Sequence, residues 1–174
     1  ESVRIPYMIV GSFSSNAYGI PRSTKDADFV VQLGDAPLSS LLKYLPEGFR
    51  LEAQIGFETI TSTTRYRMHF EPLMFMIELF EVSEDAHDQS RFQRRCQTSA
   101  YGVPTFLPTP EDVVITKLRW SKGGRRRKDM EDIENVLAVQ AGTLDLHYMR
   151  GWADAHGTRE LLEKALTRLP PGSA

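Results

Sequence analysis

Two aspartates, Asp26 and Asp28, stand at alternate positions directly before the apolar run Phe29-Val30-Val31. In an extended strand, alternate side chains emerge on one face. Two like charges about 6 Å apart repel by about 3 kcal/mol at an effective dielectric near 20. A fold that opens a buried strand this way is relieved by a cation. Magnesium is a hard ion that takes one or two carboxylates together with phosphate oxygens, and it fits that need. The other reading of these residues is a solvated turn, in which Asp26 caps and Asp28 ends the loop.

A second feature lies upstream. Tyr7-Met8-Ile9-Val10 is a short apolar run stopped by Gly11, and it reads as a buried strand. Ser12 to Tyr18 then suits a short helix, closed by Gly19-Ile20-Pro21. A glycine between strand and helix lets backbone approach a phosphate closely. The Ser12 hydroxyl and the helix N-terminal amides can donate to its oxygens. Taken alone, the same residues describe an ordinary strand-to-helix turn.

Further along, Asp28–Leu33 reads as the second strand and Leu38–Leu45 as a helix stopped by Pro46. Thr59–Phe70 alternates as a half-exposed strand, and Leu73–Val82 is a strongly apolar one. Asp85–Gln97 reads as a helix and Val103–Leu107 as an edge strand. From Thr109 the character changes. Thr109-Pro110-Glu111-Asp112 is a helix start: threonine caps, proline suits the first turn, and acids favour the positive end. Helices are expected to about Trp120, over Asp129–Gln140, Leu146–Ala155 and Arg159–Leu169, with a frayed tail from Pro170. The order predicts an α+β fold: a mixed β-sheet flanked by helices over residues 1–108, with a helical C-terminal subdomain over 109–170.

Composition bounds the partners. The formal net charge is -2, so attraction to nucleic acid would need a local patch. Arg125-Arg126-Arg127-Lys128, with Lys122 nearby, is such a patch; it could meet an RNA, meet an acidic protein face, or simply be solvated. Cys96 is the single cysteine, which excludes an internal disulfide, fits a reducing, cytoplasmic setting, and reads as a buried thiol. No apolar run is long enough to cross a bilayer, and no signal-peptide layout is present. The chain opens on Glu1 with a strand almost at once, as expected of a trimmed N-terminus. His69, His87, His147 and His156 lack metal-ligand spacing.

Thirteen residues separate Ser12 from Asp26. Val10-Gly11-Ser12 followed by Asp26-Ala27-Asp28-Phe29 resembles the signature of the nucleotidyltransferase superfamily with the DNA polymerase beta-like fold. The stretch Tyr18 to Asp26 is similar to bacterial minimal nucleotidyltransferase-like proteins, including the AbiEii-type toxins. Pro110-Glu111-Asp112, Lys117-Leu118-Arg119-Trp120 and Lys128 to Ile133 match that group in style.

The resemblance implies transfer of a nucleoside monophosphate from an NTP to an RNA 3′ end, tRNA included, or to a protein hydroxyl. Gly11 and Ser12 would hold phosphates, with Arg22 and Lys25 beside them or merely solvating the loop. Asp26 and Asp28 would hold magnesium, or manganese in its place. The family's third acid, usually Asp, falls on Glu78 within Met76-Ile77-Glu78-Leu79-Phe80, with Glu81 next in line. Glu78 would be a metal ligand or a base, or else a surface acid on a drifted site. Lys117 and Asp129 match a helical lysine and a later aspartate that complete the toxins' site, and Asp132 is their neighbour. A cognate antitoxin is an implied partner. The alternative is a non-catalytic nucleotide-binding or protein-partner module on the same fold.

Overall fold

The structure, a computed structural model, describes residues 5–34, 38–99 and 102–169; the expected tail from Pro170 lies outside them. By its contacts the chain forms two compact units. The first holds Glu1–Gly11 and Ser23–Leu107, and the second holds Ser12–Arg22 and Pro108–Ala174.

The first unit is built on a mixed sheet. Its strands are β1 (Tyr7–Val10), β2 (Asp26–Val31), β3 (Phe49–Leu51), β4 (Gly56–Glu58), β5 (Thr63–Phe70) and β6 (Phe75–Glu81). They pair in the order β1-β2-β6-β5-β3, with β4 also on β5. Only β2 and β6 run parallel among these pairs; the others are antiparallel.

Register then assigns the faces. Asp28 pairs with Val10 on one side and Glu78 on the other, and Glu78 pairs with Arg67. Alternation puts Asp26, Asp28, Glu78, Arg65 and Arg67 on one face. Phe29, Val31, Ile77, Leu79 and Met68 fall on the opposite face. There they line an apolar pocket of about 220 Å³ with Leu38, Leu41 and Leu45.

The expected helix over Leu38–Leu45 is only one turn, α2 (Ser39–Leu42), because its leucines close on that apolar face rather than extending a helix. The helix α3 (Ala86–Gln93) ends earlier than the sequence suggests. Cys96–Thr98 instead forms β7, antiparallel to β8 (Thr105–Leu107). Cys96 is therefore exposed on a two-stranded ribbon, not buried. Asp85 caps α3 through the amides of His87 and Asp88.

The second unit is helical. It contains α1 (Gly11–Tyr18, whose first residue belongs to the first unit), α4 (Pro110–Trp120), α5 (Arg127–Val139), α6 (Leu146–Ala155) and α7 (Arg159–Leu166). Thr109 caps α4 by accepting from the Asp112 amide, as its sequence suggests. Val114, Ile115 and Leu118 of α4 pack with Ile133, Val136 and Leu137 of α5, Met149 of α6 and Leu162 of α7, all fully buried. Tyr18 joins that core, and the Gln140 side chain donates to its carbonyl at 2.9 Å. These contacts explain why α1 groups with the later helices.

Candidate active site

The carboxylate face of the first unit begins at Gly11. Its φ is +63°, in the region that a side chain disfavours. A Cβ added there would fall 1.9 Å from Asp28 Oδ2. Glycine is thus required twice, by its backbone angle and by the aspartate that occupies the space. Asp26 is fixed from the loop: Thr24 Oγ1 donates to its Oδ1 at 2.6 Å. Both aspartates are half-buried. Asp26 and Asp28 on one face, with Glu78 at the level of Asp28, are hard oxygen donors of the kind a divalent cation such as magnesium takes.

Glu78 is that third acid. Arg67 Nε donates to its Oε1 at 2.9 Å, and Arg65 Nη1 lies 3.5 Å from the same oxygen. An acid within an apolar strand is costly unless partnered, and here two guanidinium groups are its partners. The sequence alone singles out neither arginine. Their alternate spacing in β5 was visible, but the pairing of β5 with β6 was not. Glu81 lies on the opposite face and accepts from the Tyr66 hydroxyl at 2.8 Å. That bond, together with burial and the Glu81 charge, raises the Tyr66 phenol above its usual pKa.

The second unit holds a separate ionic cluster. Arg22 Nε donates to Asp132 Oδ1 at 2.7 Å, and its Nη2 donates to Asp132 Oδ2 at 2.9 Å. The same Nη2 donates to Ser12 Oγ at 2.9 Å. Lys117 Nζ donates to Asp132 Oδ2 at 2.7 Å and to Asp129 Oδ1 at 3.1 Å. Arg126 Nε lies 3.1 Å from Asp129 Oδ2. Asp129 and Asp132 are buried on α5, with side chains 6% and 3% exposed, and Lys117 on α4 is partly buried at 12%.

Burial pushes the Asp132 carboxyl up, but hydrogen bonds from Arg22 and Lys117 and their charges outweigh it. The net effect holds Asp132 below the ordinary aspartate range. Asp132, which the sequence offered only as a neighbour, is the hub. The Asn16 amide completes the arrangement: its Nδ2 donates to the Arg22 carbonyl at 2.8 Å, and its Oδ1 accepts from the Arg22 amide at 3.1 Å. Asn16 carried no sequence signal beyond its place in α1.

Lys25 is exposed. So are Lys122, Arg125, Arg127 and Lys128 of the basic stretch, where Arg127 pairs with Glu131 at 2.7 Å. The structure puts Asp26, Asp28 and Glu78 on one face of the sheet in one unit, and it links Ser12, Arg22, Lys117 and Asp129 through Asp132 in the other.

No protein-family model matches the chain, and no curated protein matches it. Among solved structures, it resembles an antigenic nucleotidyltransferase-like protein from Paracoccidioides brasiliensis. The TM-score is 0.55 at 21% identity, over 97% of this chain and 87% of that one. It also resembles the antibiotic-resistance factor ANT(2'')-Ia, with a TM-score of 0.58 at 12% identity, over 95% of this chain and 89% of that one. The sheet topology, the helices and these likenesses agree: the chain has the nucleotidyltransferase fold.

Proposed function

We propose that the protein is a metal-dependent nucleotidyltransferase that moves a nucleoside monophosphate from an NTP to a hydroxyl of RNA or protein. The observation that carries this reading is the level pairing of Asp28 with Glu78, with Asp26 on the same face and Gly11 bare against Asp28. That arrangement suits a hard divalent ion, and the fold is one that nucleotidyltransferase-like proteins share.

Asp26 and Asp28 would hold magnesium. When bound, the ion supplies charge neutralisation at phosphate oxygens and an orienting template for the displacement. The rest falls to this chain's own groups. Gly11 presents backbone to the β- and γ-phosphates, and the Ser12 hydroxyl donates to their oxygens. Arg22 and Lys117 add positive charge in the same unit as Ser12, and Lys25 adds it from the loop. Asp129 holds Lys117. The acceptor oxygen forms its bond to the α-phosphorus while the bond to the bridging oxygen breaks and pyrophosphate leaves. Glu78 would take the acceptor's proton or share in holding metal.

The toxin-like subgroup is part of this reading because the stretch from Tyr18 to Asp26 is similar to it. It brings tRNA as one acceptor and a cognate antitoxin as a partner. A cytoplasmic setting goes with such substrates; among the described residues no helix is long and apolar enough to cross a membrane.

A second reading is a nucleotide-binding or partner-binding module without transfer. It is favoured by the engagement of Glu78 with Arg67 and Arg65, which occupies the acid that transfer would use. Incubation with labelled NTPs, magnesium and total tRNA or lysate separates the two. Label entering a macromolecule supports the enzyme. Tight NTP binding without transfer supports a nucleotide-binding module, and neither binding nor transfer, together with a stable co-purifying protein, supports a partner-binding one.

A further inference from the structure

Ser12 has one hydroxyl proton and two lone pairs, and a free hydroxyl samples several rotamers. Here its oxygen accepts from Arg22 Nη2 at 2.9 Å. An oxygen that accepts from a guanidinium becomes a stronger donor through its own O–H, and its proton is directed elsewhere. Arg22 makes this contact while held on every side that matters. Its Nε and Nη2 grip the two oxygens of Asp132, so the second Nη2 hydrogen is left aimed at Ser12. Lys117 bonds the same Asp132 oxygen, and Asn16 clamps the Arg22 backbone through both its amide groups. A planar fork with five fixed donors can do this; a lysine cannot.

We infer that Arg22 is a positioning residue whose task is to set the Ser12 hydroxyl for a phosphate oxygen, with Asp132 and Lys117 fixing Arg22. This rests on the nucleotide-binding reading above, but it assigns the arginine and the α5 carboxylate a role through Ser12. Direct contact of Arg22 with the nucleotide is the competing role.

A double-mutant cycle on the full chain tests it. The dissociation constants of ATP, GTP, CTP and UTP with magnesium are measured by calorimetry for wild type, Ser12→Ala, Arg22→Lys and the double variant. Thermal melts report folding separately. The expected result is about a tenfold weakening for each single variant, and a double variant no weaker than Ser12→Ala. Such non-additivity is what a residue acting through another produces.

Losses that multiply in the double variant would overturn the inference, as would wild-type affinity in Arg22→Lys or in Ser12→Ala. In each of those cases nucleotide binding by the wild type leaves the broader reading intact. A wild-type protein that binds none of the four nucleotides overturns both. Should Arg22→Lys fail to fold, Asp132→Asn replaces it in the cycle with the same criteria, since it loosens Arg22 and leaves the guanidinium in place.

Discussion

Asp28 on β2 and Glu78 on β6 stand at the same level of a parallel strand pair, yet their surroundings differ. Asp28 fills the space that a side chain on Gly11 would need, while Glu78 is gripped by Arg67 and Arg65. The Gly11 backbone lies against the first carboxylate, and two guanidinium groups hold the second. Their substitutions should therefore part company. Asp28→Asn should abolish magnesium-dependent NTP binding in calorimetry, whereas Glu78→Gln should leave the dissociation constant within about threefold. Equal losses in the two variants would remove the distinction.

Gly11 and Gly157 provide a matched pair for separating backbone strain from collision. Their φ angles are +63° and +66°. A Cβ at Gly157 meets nothing within 4 Å, while one at Gly11 meets the Asp28 carboxylate. Gly157→Ala should cost about 1 kcal/mol, the left-handed penalty alone. Gly11→Ala should cost clearly more and should also weaken nucleotide binding, because Asp28 must move. Denaturant melts and calorimetry on the two variants read both effects, and equal costs would show that the contact with Asp28 is unimportant.

Removing the Glu78 charge with the arginines left behind should destabilise the sheet. Two guanidinium groups that are partly shielded would lose their shared partner. Glu78→Ala should lower stability by about 1–3 kcal/mol, the range for leaving a partner unsatisfied. Adding Arg67→Met to that variant should restore part of the loss. No recovery in the double variant would mean that Glu78 contributes little through Arg67.

Acid should expose the Asp132 hub. In the unfolded chain an aspartate takes up its proton near its ordinary value, about 3.9. In the folded protein Arg22 and Lys117 hold Asp132 below that value, so it is protonated only at lower pH. The stability from the network is present above the unfolded value and is lost as pH falls through the folded one. Melting temperature should stay level toward neutrality and drop below about pH 4. Asp132→Asn should start lower and fall less steeply. Some acid slope should persist, because Asp88 is another depressed acid; burial pushes it up, but Arg91 and the Ser83 backbone and hydroxyl outweigh that. An unchanged slope in Asp132→Asn would contradict the assignment.

The sequence carried the framework well where local rules govern. The Tyr7–Val10 strand, its Gly11 stop, the paired aspartates and the Thr109 cap all follow from alternation, glycine geometry and capping, and all are found. It failed where an element exists only because of a distant partner. Phe49–Leu51 and Gly56–Glu58 are three-residue strands defined by β5, so no local pattern announced them. Cys96 looked like the end of a helix; its pairing opposite Leu107 turned it outward.

The same division holds for the candidate site. Asp26, Asp28, Lys117 and Asp129 could be named from motifs. That Arg67 meets Glu78, or that Arg22 reaches Asp132 across 110 positions of sequence, depends on register and helix packing. Arg22 itself stood out only as a loop cation beside the acidic pair. Its bidentate geometry was invisible until α5 was in place.

The alternation of β2 makes its length intolerant of error. Even-numbered positions carry the carboxylates, and odd-numbered ones carry the aromatic and aliphatic groups of the apolar pocket. Because the repeat is two, a one-residue slip of β2 against its neighbours would turn Asp28 to the face that Phe29 holds, driving charge into grease and grease toward solvent. Loop changes elsewhere can be absorbed by degrees. At this strand they would be absorbed in pairs or not at all.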